Sequence, residues 1–128
     1  MEDCIFCKII KGEIPSYTIY EDEIVKVFLD INPVTDGHCM VVPKKHTENI
    51  ETIDYETLTH TEKISKEIYE KMKIKLGCNG MTRVQNNGYG QDVKHYHLHL
   101  IPRYVNDGII MNHGNLLKTE EVFEKLTK

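Results

Sequence analysis

Three histidines crowd into five positions, as His95-Tyr96-His97-Leu98-His99, in a chain that holds seven histidines in all. Imidazole titrates near neutrality, so one residue type can supply a nucleophile, a proton donor or a metal ligand. Tyr96, Leu98 and Leu100 occupy the intervening places. Alternation of this kind predicts a strand with its rings on one face, successive ones ~6.6 Å apart, and an apolar face opposite. Such a face could perform nucleophilic chemistry, or hold a catalytic zinc through all three imidazoles. A second cluster opens the chain, where Cys4 and Cys7 stand in a C-x-x-C spacing. The pair could serve a metal, a redox couple or two free thiols. A redox pair of the thioredoxin kind follows a strand, and Met1-Glu2-Asp3 offers none.

These residues need elements to position them. Ile5 to Ile10 reads as a short helix ended by Gly12. Tyr17 to Tyr20 and Ile24 to Asp30, rich in β-branched and aromatic residues, predict a hairpin around Glu21-Asp22-Glu23. Asn32-Pro33 and Asp36-Gly37 mark a loop before a buried strand, His38 to Val42, stopped by Pro43. Asp54 caps a long helix reaching Leu76, with Leu58, Ile64, Ile68 and Met72 on one face and Gly77 as its stop. That stripe could pack on its own sheet or meet a second copy. Strands at Gly80 to Gln85 and Lys94 to Ile101 follow, Pro102 ending the second, and a weak helix starts at Thr119. The order predicts an α+β domain: an antiparallel sheet with one long helix and a short N-terminal one.

Composition narrows the partners. The 128 residues suit one domain, 1–128, and 40% hydrophobic with 28% charged residues is ordinary for a globular chain. No stretch approaches the ~20 apolar residues that cross a bilayer. Sixteen scattered basic residues against twenty acidic ones give a net charge of −4, which argues against nucleic acid as a partner. The acidic start, Met1-Glu2-Asp3-Cys4, lacks a basic region before an apolar one, so a cytoplasmic location with reduced thiols is expected. Cys39 and Cys78 read as small buried apolar residues, and His60 and His113 as surface residues without a role.

The motifs carry a resemblance. His95 to Ile101, preceded by Gly90-Gln91-Asp92-Val93, resembles the signature of the histidine triad (HIT) family. Cys4 to Pro15 resembles the family's opening. Phe28-Leu29-Asp30-Ile31-Asn32-Pro33 and Gly37-His38 through Pro43-Lys44-Lys45-His46 resemble its central block, and Asn86-Asn87-Gly88 its phosphate-side loop. The likeness spans 4–104, is closest to the Hint-like branch, and leaves the tail, 105–128, untouched.

The resemblance implies the HIT-type fold and a nucleotidyl hydrolase or transferase cleaving at the α-phosphate of purine nucleotides, foremost a purine nucleoside phosphoramidase. A dinucleoside polyphosphate hydrolase and a non-catalytic nucleotide-binding module are the alternatives. By carry-over, His97 is the nucleophile forming a covalent nucleotidyl-histidine. His99 binds phosphate and assists the leaving group, His38 orients the imidazoles, and Gln91 and Asn86 donate to phosphate oxygens. Gly88 belongs to the same nucleotide-binding loop, Asp30 takes the ribose, and Phe6, Ile9, Phe28 and Ile31 wall the base. Zinc-bearing members pair the cysteines with two histidines, so Cys4, Cys7, His46 and His95 are the implied ligands of a structural zinc; no organic cofactor is implied. Hint-like relatives are homodimers. Asp92 departs from the Ser or Thr of many members, and the 86–91 loop is shorter, so leaving-group preference is left open.

Overall fold

A computed structural model describes residues 3–128; Met1 and Glu2, the first residues of the acidic start, lie outside it. The elements run α1 (Ile5–Ile10), β1 (Thr18–Glu21), β2 (Val25–Leu29), β3 (Cys39–Pro43), α2 (Tyr55–Leu76), β4 (Gly80–Val84), β5 (Leu98–Arg103) and α3 (Thr119–Thr127). All strand pairs are antiparallel, and the five-stranded sheet is ordered β1-β2-β3-β5-β4. The α+β class and the helices expected at both ends of the sequence are therefore present.

Period-two alternation sorts the strands onto two faces. Val25, Val27, Cys39, Val41, Leu98 and Leu100 pack with Ile64, Ile68 and Met72 of α2. Each such side chain contributes about 1.5–3 kcal/mol when fully buried. The α2 stripe is thus taken up by its own sheet, with Leu58 partly buried against it. Asp54 caps α2 by accepting from the Thr57 amide at 2.7 Å, and Gly77 ends it in the left-handed region. On the other face, Phe28, Met40 and Val42 pack with Phe6 and Ile9 of α1. The register sets Phe28 opposite Met40 and Met40 opposite His99, which places the last triad histidine on the α1 side.

Three expectations need correction. The second late strand begins at Leu98, not Lys94, so His95 and His97 precede it in irregular backbone and only His99 lies in a strand. His95 is spent on contacts with residues 43–46 and α1, which hold the chain out of the ladder; the Tyr96 amide bonds Thr47 O instead. The strand also runs through Pro102 to Arg103, because Pro102 sits opposite Met81 at a place where its missing N–H is not required. His60, expected to be an idle surface residue, bonds Asp22 Oδ2 at 2.7 Å and ties α2 to the β1–β2 turn. His113, by contrast, is exposed in the tail. Cys39 and Cys78 are buried free thiols, and burial pushes the Cys39 thiol up to about 12.

Candidate active site and metal centre

His97 is 2% exposed, and its ring is held from two sides. Nδ1 lies 2.7 Å from the His95 carbonyl oxygen, which can only accept, so Nδ1 carries a proton and, in the neutral ring, Nε2 holds the lone pair. Phe6 meets the ring edge-on at 4.9 Å. His99 packs beside it at 4.9 Å between centroids.

The proton positions of the other two rings follow from one backbone amide. Val34 N–H donates to His38 Nδ1 at 3.2 Å, so neutral His38 carries its proton on Nε2. That proton faces His99 Nδ1 at 2.9 Å, which must accept, leaving His99 with a donor at Nε2. Both rings are neutral at physiological pH: burial lowers His38, and burial reinforced by His97 and His38 lowers His99 to about 4. Asp30 sits at the junction, its Oδ2 3.6 Å from His38 Nε2 and 3.9 Å from His99 Nδ1. Its Oδ1 accepts from Asn32 N–H at 2.8 Å, so the carboxylate also shapes the 30–33 turn. His38 itself is delivered by a tight approach: Gly37 has φ +98, and a Cβ there would lie 2.5 Å from Leu76 Cδ1.

His97 and His99 open into a cavity of about 240 Å³. Phe6, Ile9, Phe28, Asp30 and Ile31, all expected at a nucleotide site, line it. Ile31 does so from the rim, 81% exposed. His38 stands behind His99, and Gln91, Asn86 and Gly88 are not on the wall. The Gln91 amide instead donates to Glu48 O at 2.6 Å and Val93 O at 3.1 Å, while its oxygen accepts from Gly88 N–H at 3.1 Å. Gln91 thus fastens the 88–93 loop, and that loop brings Asp92 and Val93 to the cavity. Sequence reasoning missed Met40 and Val93 as wall residues. The alternation of β3, which puts Met40 on the opposite face from Cys39 and Val41, was the signal for the first.

A second cluster adjoins the first through His95. Cys4 Sγ, Cys7 Sγ, His46 Nδ1 and His95 Nδ1 lie within 4.8 Å of one another. The individual separations are 3.4 Å for Cys4–His95, 3.2 Å for Cys7–His46, 3.6 Å for Cys7–His95 and 3.1 Å for His46–His95. A tetrahedral zinc, with bonds of about 2.3 Å to sulfur and 2.0–2.1 Å to nitrogen, sets ligand separations of about 3.3–3.8 Å. The donor types and spacings fit. His95 Nε2 donates to Pro43 O at 2.7 Å, which fixes the tautomer that leaves Nδ1 free to ligate. Burial lowers His95 to about 4, keeping that nitrogen unprotonated. Asp30, His38 and His99 also gather three ligand-type atoms within 4.8 Å, but the His38–His99 hydrogen bond accounts for that closeness.

A family model described as the HIT domain matches residues 11–106. An uncharacterised HIT-like protein of Methanocaldococcus jannaschii is 46% identical over 127 residues, which cover 96% of this chain and 98% of that one. The adenosine 5′-monophosphoramidase of Saccharomyces cerevisiae is 42% identical over 102 residues, covering 78% of this chain and 62% of the yeast protein. The crystal structure of a zinc-bound histidine triad family protein from Mycobacterium smegmatis superposes with a TM-score of 0.82 at 34% identity, covering 88% of this chain and 84% of that one. Sequence and fold agree, and the chain belongs to the HIT family.

Proposed function

We propose that the protein hydrolyses purine nucleoside 5′-phosphoramidates, His97 being the nucleophile at the α-phosphorus. The observation that carries this is the buried His97 ring, with Nδ1–H given to the His95 carbonyl and Nε2 turned toward the cavity beside Asp92. Phe6, Ile9 and Phe28 suit a planar base, and Asp30 can accept from ribose hydroxyls. The phosphate lies between His97 and His99, with Gln91, Asn86 and Gly88 acting through the loop they build. The similarity to the yeast adenosine 5′-monophosphoramidase supports the bond type.

The chemistry follows from the proton positions. The substrate enters as the zwitterion, its bridging nitrogen carrying one proton from solvent beyond that of the neutral phosphoramidate. His97 Nε2 attacks phosphorus, the N–P bond forms, and the pair of the scissile P–N bond leaves with a neutral amine. The ring becomes cationic, and its Nδ1–H bond to the His95 carbonyl strengthens as that charge develops. His99 Nε2–H donates to the phosphoryl or bridging position, while His38, held by Val34, keeps His99 in the donating tautomer. Water then attacks phosphorus, the N–P pair returns to His97, nucleoside monophosphate leaves, and the water's spare proton ends on the amine.

Zinc, held by Cys4, Cys7, His46 and His95, would supply a structural cross-link between α1 and the histidine segment. The free thiols suit a reducing, cytoplasmic environment. A homodimer is part of the same reading, with the edge strand β4 free to extend the sheet. Among the described residues no helix is long and apolar enough to cross a membrane.

Release of AMP from adenosine 5′-phosphoramidate by wild type and His97→Ala tests the reading. Loss of turnover by orders of magnitude in a folded His97→Ala supports it; turnover surviving that substitution, or absent from wild type, refutes it.

A further inference from the structure

Asp92 stands where the active-site cavity meets solvent. It is 84% exposed, lines the cavity and brings Oδ1 to 3.9 Å from His97 Nε2, while the same oxygen accepts its neighbour Val93's N–H at 2.9 Å. Among the described residues no lysine or arginine lines that cavity, and Asp30 adds a second carboxylate to its wall. The cavity continues into a groove of about 400 Å³, with Ile5, Asp92 and Val93 common to both. Asp3 and Glu48 also line this groove, and among the described residues its basic side chains are Lys94 and the proposed zinc ligand His46. The Lys94 ammonium is already engaged by Gln91 O at 2.8 Å and Gly88 O at 3.4 Å.

A substrate with its phosphorus against His97 Nε2 and its base on the apolar wall extends its leaving portion toward solvent, at the mouth that Asp92 lines. A carboxylate this close to the attacking nitrogen repels an anionic leaving portion and attracts a cationic one, with no cation on the wall to offset it. We infer that Asp92 is the specificity-determining residue for the leaving group, selecting amines that carry further positive charge and rejecting phosphate, sulfate or carboxylate-bearing ones. The inference rests on the phosphoramidase reading and deepens it. The bond that breaks remains P–N, and the electron pair still departs with the amine. Asp92 acts on charge borne beyond the bridging atom. It thereby disfavours dinucleoside polyphosphates, whose leaving group is a polyanion.

Three adenosine 5′-phosphoramidates of similar size test this: those of ethylenediamine (cationic), propylamine (neutral) and glycine (anionic). The readout is the ratio of kcat/KM for the cationic over the anionic conjugate. Wild type is expected to order them cationic, neutral, anionic. Asp92→Asn, which keeps the oxygen for the Val93 amide, is expected to lower the ratio about tenfold, a size fitting a solvent-exposed charge acting on two opposite charges. Asp92→Lys is expected to invert the order. Added salt should compress the wild-type ratio, a measurement that needs no variant. A ratio in Asp92→Asn within twofold of wild type, or one indifferent to salt, overturns the inference and leaves the phosphoramidase reading standing. Failure of wild type to cleave even the neutral conjugate overturns both.

Discussion

The neutral state of His99 is costly to maintain in acid, and the cost has a defined slope. Its ring is buried between His97 and His38, and burial, then those two rings, lower it to about 4, against the raising effect of Asp30 and Asp92. An unfolded histidine takes its proton near 6.5, so between about pH 6.5 and pH 4 the unfolded chain binds one proton more than the folded one. Stability therefore rises with pH across that window. Its contribution is intact above about pH 6.5 and is lost as pH falls toward 4. One proton corresponds to about 1.4 kcal/mol per pH unit, and the window integrates to about 3 kcal/mol. His99→Asn removes this proton while its side-chain oxygen can still accept from His38 Nε2–H at the position of Nδ1. Urea unfolding at half-unit intervals from pH 4.5 to 7.5 would give the two stability curves. Contributions shared by both proteins, His95 among them, cancel in the difference. The expected difference curve has a slope of about one proton. Parallel curves would refute the account of the His38–His99 pair as buried and neutral.

Three further outcomes are expected. Zinc should raise the thermal midpoint of the wild type by about 10 °C at a thousandfold excess over its dissociation constant, and Cys7→Ser should abolish the rise; calorimetry with metal analysis would check both. Asp22 accepts from Tyr20 Oη and His60 Nε2 at 2.7 Å and from the Ile24 and Val25 amides at 2.8 Å. Although burial raises it, these bonds hold the carboxyl well below the usual carboxylate range. Asp22→Ala should cost about 3 kcal/mol at neutral pH by urea titration, and the loss should shrink as acid protonates the wild-type carboxyl. Asp30→Asn should raise KM for adenosine 5′-phosphoramidate about tenfold, the loss of one charged hydrogen bond to ribose, in steady-state assays.

The element types were legible because their signals are local. Asp54 and Gly77 bracket α2, and β2 and β3 show as apolar, largely β-branched runs, Val25 to Leu29 and Cys39 to Val42. The start of β5 was not. His95-Tyr96-His97 has a strand's pattern, yet His95 bonds Pro43 and approaches the cysteines, and no period within the segment encodes a contact 52 residues away. The role of His60 was hidden likewise, because Asp22 lies 38 residues earlier. Of the site, the histidines, Asp30 and the apolar wall were readable from motifs. The commitment of Gln91 to Glu48 O and Val93 O was not, since it depends on how a loop folds back.

Each triad ring has one nitrogen engaged by a hydrogen bond whose direction is fixed. His95 presents Nε2–H to Pro43, His97 presents Nδ1–H to the backbone of His95, and His99 receives at Nδ1 from His38. Spectroscopically His97 is therefore distinguishable from His95 and His99, although all three are chemically the same residue. In a long-range ¹H–¹⁵N correlation of the imidazoles, His97 should show the pattern of the Nδ1–H tautomer, and His95 and His99 that of the Nε2–H tautomer. A covalent nucleotidyl group on His97 would then shift the resonance of its Nε2 most among the three rings.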